Sequence, residues 1–270
     1  MTESIPMFKD IKQKIDAFAR LTRWADHGTF GQLAFGFLIG TGFAPTGEQL
    51  VLLLKALFVL VPLLYAGIYA LNDYRDAELD KKNKFKRSRP IPSGQIKRDT
   101  ALMIALGLIA SGLIIATFIN AKVLIMAVSF LIINLLYTFV FKNTRHIEIF
   151  LNAVPHVFRL LFGIWLVADP TPYGMLGAIW LVGNLNICVF RRIKEIEEKN
   201  FTARPVLKRY NKRTLASFYY LLMPALVILT FSAGALEIVA GVFWLGFSTL
   251  VIAGYYRSKP LKRIIEEAWK

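Results

Sequence analysis

Long apolar runs alternate with short polar segments along most of this 270-residue chain. A membrane-crossing helix needs roughly 20 predominantly apolar residues, and eight runs approach that length. They lie at 28–43, 51–71, 100–120, 123–141, 147–167, 173–190, 214–232 and 238–256. The pattern therefore predicts an all-α, polytopic membrane bundle of about eight transmembrane helices.

Composition supports a membrane protein and narrows its chemistry. The mean hydropathy of +0.50 and the 56% of hydrophobic residues are both high for a soluble domain of this length. The single cysteine, Cys188, excludes a disulfide framework and any site built from several cysteines. The net charge of +15 indicates anionic partners. Because the basic residues flank the spans, membrane lipids and phosphorylated substrates fit better than nucleic acid, which we do not expect as a partner.

The basic residues also predict the orientation of the chain. Thirty of the 33 lysines and arginines lie on one side: before residue 28, in 72–99, in 142–146, in 190–213 and after residue 256. An excess of Lys and Arg marks the cytoplasmic side of a membrane. We therefore expect a multi-pass protein of the inner cell membrane with both termini and both long loops in the cytoplasm. Residues 1–27 combine basic and apolar positions at helical spacing, which predicts an amphipathic interfacial helix.

The layout of spans and loops repeats within the chain. A long basic loop follows the second span at 72–99, and another follows the sixth span at 190–213. We interpret residues 1–270 as a single transmembrane domain made of two parallel four-helix halves. The two loops are then expected to bind substrate on the cytoplasmic face, above a cavity that the halves share.

The most informative polar segment follows the second span. If the helix continues, Asp73, Asp76 and Asp80 share one face, and Asn72 lies one turn before Asp76. Carboxylates this close repel one another unless a cation lies between them, and oxygen ligands favour Mg²⁺. Mg²⁺ usually completes its shell with water and substrate phosphates. We therefore predict a Mg²⁺ site at Asn72, Asp73, Asp76 and Asp80, in which the three aspartates are catalytic.

Three cations that follow the acidic segment are candidates for binding substrate phosphate. They are Lys86, Arg87 and Arg89. Positive charges beside a carboxylate–metal cluster can bind the remaining oxygens of a diphosphate, and arginine can do so through two hydrogen bonds at once. The alternative is that these residues only contribute to the positive charge of a cytoplasmic loop.

The fifth span carries a polar stripe. Glu148, Asn152, His156, Arg159 and Gly163 are spaced four, four, three and four residues apart, so they lie on one helix face. Such a stripe is expected to face the interior of the bundle. An arginine within the membrane is costly unless it is paired or hydrated, so Arg159 either pairs with Glu148 or another acid or binds an anionic substrate. We interpret Arg159 as a phosphate-binding residue.

These segments resemble the UbiA superfamily of intramembrane prenyltransferases. Residues 72–80 match its N-D-x-x-D-x-x-x-D signature, and residues 89–94 resemble the R-P-[IL]-x-[SA]-G tail that follows it. The resemblance covers nearly the whole chain in layout. It implies a UbiA-like helical bundle, Mg²⁺ as cofactor and a polyprenyl substrate. Family members often have nine spans, whereas the pattern here predicts eight.

The second half departs from the commonest UbiA pattern. Many members carry a second aspartate motif after the sixth span, but residues 191–199 contain no aspartate. This segment, with 204–210 after it, instead resembles the branch of polyprenyl-phosphate phosphoribosyltransferases, whose patterns are approximately K-R-R-x-E-L and R-P-V-L-x-x-Y. That resemblance implies that Arg191 and Arg192 bind substrate phosphate and that Glu195 is catalytic.

The predicted activity is an intramembrane, Mg²⁺-dependent transfer with diphosphate as the leaving group. The resemblance favours transfer of 5-phosphoribose from phosphoribosyl diphosphate to a polyprenyl phosphate. One alternative is a prenyltransferase that moves an isoprenyl group from its diphosphate to an aromatic or lipid acceptor. Another is a non-enzymatic ion or anion transporter, although transporter sites usually lie at the membrane midplane and these acids lie at one face.

Overall fold

The structure is a computed structural model that describes residues 6–83, 86–198, 201, 205–232 and 234–268. Residues 84–85, 199–200 and 202–204 of the two predicted substrate loops lie outside this described part. The described residues form ten α-helices: α1 (Pro6–Leu21), α2 (Gly31–Gly40), α3 (Gly47–Lys81), α4 (Arg98–Ile119), α5 (Ala121–Phe141), α6 (Ile147–Val167), α7 (Thr171–Glu197), α8 (Lys212–Phe231), α9 (Ala235–Arg257) and α10 (Lys259–Ala268). The prediction of an all-α bundle is confirmed.

Seven helices of the described part, α3 to α9, are long and apolar enough to cross a membrane. The first predicted span is shorter than expected, because its apolar helix covers only Gly28–Gly40. It ends before Gly42 and Phe43, whose φ angles of 60° and 62° cannot continue a right-handed helix. The amphipathic α1 precedes it and agrees with the helix predicted in 1–27.

The helix α3 carries the acidic segment out of the apolar region. It is 35 residues long and extends ten residues beyond the end of the predicted second span, from 71 to 81. A π-helical turn at Val59–Tyr65 contains Pro62. Proline has no N–H to donate to the preceding turn, and the local π turn accommodates that gap without breaking the helix. Residues 72–80 are therefore helical, as the spacing of the acids predicts.

Two glycines bring α2 into direct contact with α6. A Cβ atom at Gly36 would lie 1.9 Å from the carbonyl oxygen of Leu160, and one at Gly163 would lie 2.0 Å from that of Leu33. No side chain could occupy either position, so the absence of Cβ atoms allows the two backbones to touch. This contact holds the start of α2 beside the polar stripe of α6.

The remaining helices pack around these contacts. The helices α3, α4 and α5 pack against one another, and α7 packs against α6, α8 and α9. Contacts of α6 with both α2 and α5 join the two halves of the chain. We call the end of the bundle that carries residues 82–83, 86–97 and 205–211 the basic end. The predicted two-fold relation between the halves stays a prediction.

Candidate active site

A cavity of about 1100 Å³ lies between the two halves at the basic end. Its walls come from α2 and the turn before it, α3, α5, α6, α7 and α9. The first loop contributes Lys86 and Arg89, and the last turns of α7 contribute Arg191 and Arg192. The structure thus brings residues of both predicted substrate loops to one cavity, as the repeated layout predicts.

The acidic segment of α3 presents three of its four predicted metal ligands to this cavity. These are Asn72, Asp73 and Asp76. Oδ1 of the buried Asp73 accepts a hydrogen bond from Arg89 Nη1 at 2.9 Å. Its other oxygen, Oδ2, is buried without a hydrogen-bond partner among the described residues. A buried carboxylate oxygen in this position is available to a cation that binds in the cavity.

Asp80, the fourth predicted ligand, does not line the cavity. Its carboxylate is buried, 2.7 Å from Arg89 Nη1 and 3.7 Å from Lys86 Nζ. The same Arg89 nitrogen therefore bridges Asp73 and Asp80. In this arrangement Asp80 holds Arg89 beside Asp73, and its role as a metal ligand stays a prediction.

Two cations that the sequence analysis missed contact the acidic segment. Arg23 Nη2 lies 3.7 Å from Asp73 Oδ1, and its guanidinium lies 5.6 Å from the ring centre of Tyr69. Lys142 forms a hydrogen-bonded ion pair with Asp76. Both cations line the cavity. Arg23 lies in the basic segment before the first predicted span, and Lys142 follows α5. Membrane orientation alone explains positive charges at both places, so the sequence carries no separate signal for a role in the site.

The donor set fits Mg²⁺ as a partial shell. Among the described residues, no group of three His, Cys, Asp or Glu side chains is close enough to hold a metal by itself. The cavity offers two carboxylates, Asp73 and Asp76, and the amide of Asn72. Mg²⁺ is usually bound through one or two carboxylates while water and substrate phosphates complete its octahedron. The residues present therefore fit a Mg²⁺ ion that binds together with a phosphorylated substrate.

In the second half, Arg192 belongs to a buried ion-pair network. Its Nε and Nη2 donate to the two carboxylate oxygens of Glu148 at 2.6 and 2.8 Å, and its Nη1 donates to Glu195 at 2.7 Å. The Arg192 and Glu148 side chains are 2% and 0% exposed. Glu148 therefore pairs with Arg192, which corrects the alternative in which it pairs with Arg159.

Glu195 lies outside the cavity lining and holds both predicted phosphate-binding arginines of α7. Besides Arg192, it accepts a hydrogen bond from Arg191 Nε at 3.0 Å. Arg191 lines the cavity, with 28% of its side chain exposed. The arrangement makes Glu195 a positioning residue for these cations, and a direct catalytic role stays a prediction.

Tyr210 ties the second loop to this network. Its hydroxyl donates to Glu148 Oε1 at 3.0 Å and accepts from the backbone N–H of His146 at 2.9 Å. Burial, together with the adjacent Glu148 carboxylate, raises the pKa of Tyr210 above its usual value, so the hydroxyl stays a donor. Burial and the neighbouring Arg145 lower the pKa of His146, so its ring stays neutral against Tyr210.

Two predicted phosphate-binding residues lie apart from the cavity lining. The guanidinium of Arg159 packs against the rings of Phe30, Tyr65 and Phe130, with centroid distances of 4.6, 5.8 and 5.6 Å. Such cation–π contacts help to offset the cost of burying its charge. Arg87 is exposed on the first loop. The phosphate-binding roles of both residues stay predictions.

Away from the basic end, the cavity wall changes from charged to neutral and then to aromatic. Gln32 and His156 line the neutral part and contact each other, with His156 Nδ1 3.0 Å from Gln32 Oε1. At the far end, the ring of Trp180 stacks on Phe35 and Phe243 at centroid distances of 5.9 and 6.1 Å. Aromatic walls of this kind suit a hydrocarbon chain.

The chain matches the UbiA prenyltransferase family over residues 33–266. It belongs to that family. This UbiA protein is therefore an integral-membrane transferase, and the transporter interpretation loses its basis. The N-D-x-x-D-x-x-x-D signature at residues 72–80 and the following tail at 89–94 both lie within the matched region.

Known proteins are similar to this UbiA protein along most of its length. It is 29% identical to digeranylgeranylglyceryl phosphate synthase of Thermococcus gammatolerans over 93% of this chain and 85% of the relative. It is 27% identical to decaprenyl-phosphate phosphoribosyltransferase of Mycobacterium tuberculosis over 67% of this chain and 60% of that enzyme. A UbiA homolog from Archaeoglobus fulgidus, bound to DMAPP and Mg²⁺, matches its fold with a TM-score of 0.66 at 16% identity, over 93% of this chain and 96% of the homolog.

Proposed function

We propose that this UbiA protein transfers 5-phosphoribose from phosphoribosyl diphosphate to a polyprenyl phosphate, with Mg²⁺ and with diphosphate as the leaving group. The observation that carries the proposal is the charge of the cavity wall. Among the described lining residues, the carboxylates are Asp73 and Asp76, both on α3. The cations come from both halves: Arg23, Lys86, Arg89, Lys142, Arg191 and Arg192.

The second half supplies cations but no carboxylate to the described cavity wall. Glu148 and Glu195 are both engaged with Arg192, and Glu195 also binds Arg191. A second metal site, which the isoprenyl alternative would favour, needs carboxylates that face the cavity from this side. A surplus of positive charge instead suits a second substrate that carries phosphate. This charge distribution supports a reaction between two phosphorylated substrates.

The metal fits at the acidic segment. Asn72, Asp73 and Asp76 would hold it together with oxygens of the leaving diphosphate. When bound, Mg²⁺ stabilises the negative charge that develops on that group. Arg89 lies beside Asp73, and Lys86 lines the same cavity; both would bind further diphosphate oxygens. The A. fulgidus homolog bound to DMAPP and Mg²⁺ supports a metal in this fold.

The proposed reaction needs no proton-abstracting side chain, because the acceptor phosphate is already an anion. One acceptor oxygen forms a bond to C1 of the ribose while the bond from C1 to the diphosphate oxygen breaks. The electron pair of that bond leaves with the diphosphate. Arg191 and Lys142 line the cavity and would bind the acceptor phosphate and the 5-phosphate. The stacked rings around Trp180 would hold the polyprenyl chain.

A second candidate is transfer of an isoprenyl group from its diphosphate to a phosphorylated lipid acceptor. The observation in its favour is the similarity to the archaeal digeranylgeranylglyceryl phosphate synthase, which extends over 93% of this chain. The same cations and the same aromatic end of the cavity would serve such a reaction. For either reaction, we propose that the basic end faces the cytoplasm from the inner cell membrane.

Two labelled donors distinguish the candidates. Purified protein with Mg²⁺ is incubated either with labelled phosphoribosyl diphosphate and polyprenyl phosphate, or with labelled geranylgeranyl diphosphate and a glycerol-phosphate lipid. Asp76→Asn is the inactive control for both. We expect label in the lipid product only in the first incubation. Label only in the second would support isoprenyl transfer, and label in neither would contradict both candidates.

A further inference from the structure

A belt of neutral polar side chains lies between the charged and the aromatic parts of the cavity. We define the neutral belt as Gln32, Asn152 and His156, which all line the cavity. On α6, Asn152 and His156 follow the buried Glu148 at intervals of one helical turn. In the proposed reaction, this belt binds neither the metal nor the hydrocarbon chain. The Asn152 amide already donates to Glu148 and Tyr137. His156 and Gln32 contact each other and keep further polar atoms, which are costly to bury unless they bind something polar.

Within the belt, His156 and Gln32 form a defined pair. Nδ1 of His156 lies 3.0 Å from Oε1 of Gln32. With an amide oxygen as its partner, Nδ1 carries the proton and Nε2 keeps an unprotonated lone pair. The contact between α2 and α6 at Gly36 and Gly163 holds the two residues side by side. The pair therefore combines an acceptor, the imidazole Nε2, with a donor, the amide NH₂ of Gln32.

The belt adjoins the acidic segment along the wall that α5 forms. Asn152 Nδ2 donates to the hydroxyl of Tyr137 at 3.4 Å, and the hydroxyl of the next residue, Thr138, donates to Asn72 Oδ1. Asn152 and Asn72 therefore contact neighbouring positions of α5. His156 lies one helical turn, about 5 Å, further from the basic end than Asn152.

We propose that the neutral belt binds the ribose 2-hydroxyl of the phosphoribosyl donor, with His156 and Gln32 as specificity-determining residues. This inference rests on the proposed function. The 2-hydroxyl is attached to the carbon next to C1, so it lies within a few ångströms of the bond that breaks. It can donate to the imidazole Nε2 and accept from the amide. An isoprenyl chain at the same depth would leave both groups without partners, which such a site disfavours.

Two stable sugar phosphates test the belt. Inhibition constants of ribose 5-phosphate and 2-deoxyribose 5-phosphate are measured against phosphoribosyl transfer by the purified protein with Mg²⁺. In the unchanged protein we expect the deoxy compound to inhibit about ten-fold more weakly, the usual effect of losing one hydrogen bond to a buried group. His156→Leu and Gln32→Leu should each bring the ratio of the two constants close to one.

Phe158→Leu is the matched control on the same helix. The Phe158 ring lines an apolar groove on a different face of α6, beside Val154 and Leu161, so this variant should keep the ten-fold ratio. The inference would be overturned if the two inhibition constants were nearly equal in the unchanged protein. It would also be overturned if both belt variants kept the ten-fold ratio. Either result would leave phosphoribosyl transfer standing. If only isoprenyl label is transferred, there is no phosphoribosyl transfer to inhibit, and the proposed function and the inference both fail. If phosphoribose is transferred but neither sugar phosphate inhibits, the inference alone fails.

Discussion

Single charged residues of the site divide into those that face the cavity and those that hold their neighbours. Asp76 and Arg191 line the cavity. Asp80 and Glu195 do not, and they bind the cations beside it. The position of each carboxylate depends on the residues of other segments that it contacts. It gives residues of similar chemistry different expected roles, and substitutions can separate them.

Asp76 and Asp80 form the first such pair. Asp76→Ala removes a carboxylate that faces the predicted metal, so we expect kcat/KM to fall at least 100-fold, or about 2.7 kcal/mol of transition-state stabilisation. Asp80→Asn is the matched variant. It leaves the bond between Arg89 and Asp73 in place, and we expect a loss of about ten-fold or less. Initial rates over a range of Mg²⁺ concentrations measure both, and equal losses would contradict the distinction.

Arg191 and Arg192 form the second pair. Arg192→Ala leaves Glu148 buried without its cation, and breaking a buried ion pair in this way costs about 3–5 kcal/mol. We therefore expect a clear fall in the thermal unfolding midpoint in detergent. Arg191→Ala should instead raise the KM for a phosphorylated substrate with little change in that midpoint. If Arg192→Ala kept its stability and changed only the KM, Arg192 would bind substrate directly, as the sequence analysis predicts.

Packing between elements decides which side chains reach the cavity. The contact of α2 with α6 through Gly36 and Gly163 sets Gln32 beside His156. The second loop is attached to α6 in a different way, through the hydroxyl of Tyr210. Each attachment can be weakened without changing a cavity cation.

Gly163→Ala tests the contact between α2 and α6. The added methyl group would meet the carbonyl oxygen of Leu33 at 2.0 Å, so the helices must separate. We expect a loss of about 1–3 kcal/mol in stability, the usual cost of overpacking, seen as a lower unfolding midpoint. Gly107→Ala on α4 is the control, because a Cβ there meets nothing within 4 Å. An unchanged midpoint in Gly163→Ala would show that the contact does not hold α2.

Tyr210 makes the attachment of the second loop sensitive to alkaline pH. The folded protein holds the Tyr210 proton more tightly than the unfolded chain, because its pKa is raised above the ordinary 10.0. Its contribution to stability is therefore complete below pH 10.0 and is lost as the pH rises further. Tyr210→Phe should lower the unfolding midpoint at neutral pH and flatten its decline at alkaline pH. The exposed Tyr220→Phe should leave both unchanged. An equally steep alkaline decline in Tyr210→Phe would contradict this assignment.

For the whole molecule, the proposed orientation places the cavity and its cations at the cytoplasmic face. The basic end carries the cavity lining from both loops, whereas the start of α3 lies at the opposite end. The two ends can be distinguished by chemical labelling, since the chain has a single natural cysteine, Cys188.

Cysteine labelling in a Cys188→Ser background tests this orientation. Arg87→Cys places a thiol on an exposed part of the basic end, and Glu48→Cys places one on an exposed position at the opposite end. A membrane-impermeant maleimide should react with Arg87→Cys only in inverted vesicles and with Glu48→Cys only in intact cells. The reverse pattern would contradict the proposed orientation.

Most of the architecture could be predicted from the sequence. Apolar runs long enough to cross a membrane identify the helices α3 to α9, because the hydrocarbon core imposes one length on every span. Helical periodicity also predicts that Asp73, Asp76 and Asp80 share a face with Asn72. Asn72, Asp73 and Asp76 line the cavity, whereas Asp80 binds Arg89 beside it. The first span was predicted too long, because composition does not reveal the left-handed turn at Gly42 and Phe43.

The pairing of charges was decided only by the tertiary structure. From the sequence spacing, Glu148 is a possible partner for Arg159, because both lie on one face of α6. In the fold, Glu148 pairs instead with Arg192 of α7, and aromatic rings surround Arg159. Likewise, Lys142 meets Asp76 from a helix that is remote in the sequence. Periodicity within a helix specifies a direction for each side chain. The partner it meets depends on which helices pack together and at what depth, and close contacts such as Gly36 against Leu160 set that arrangement.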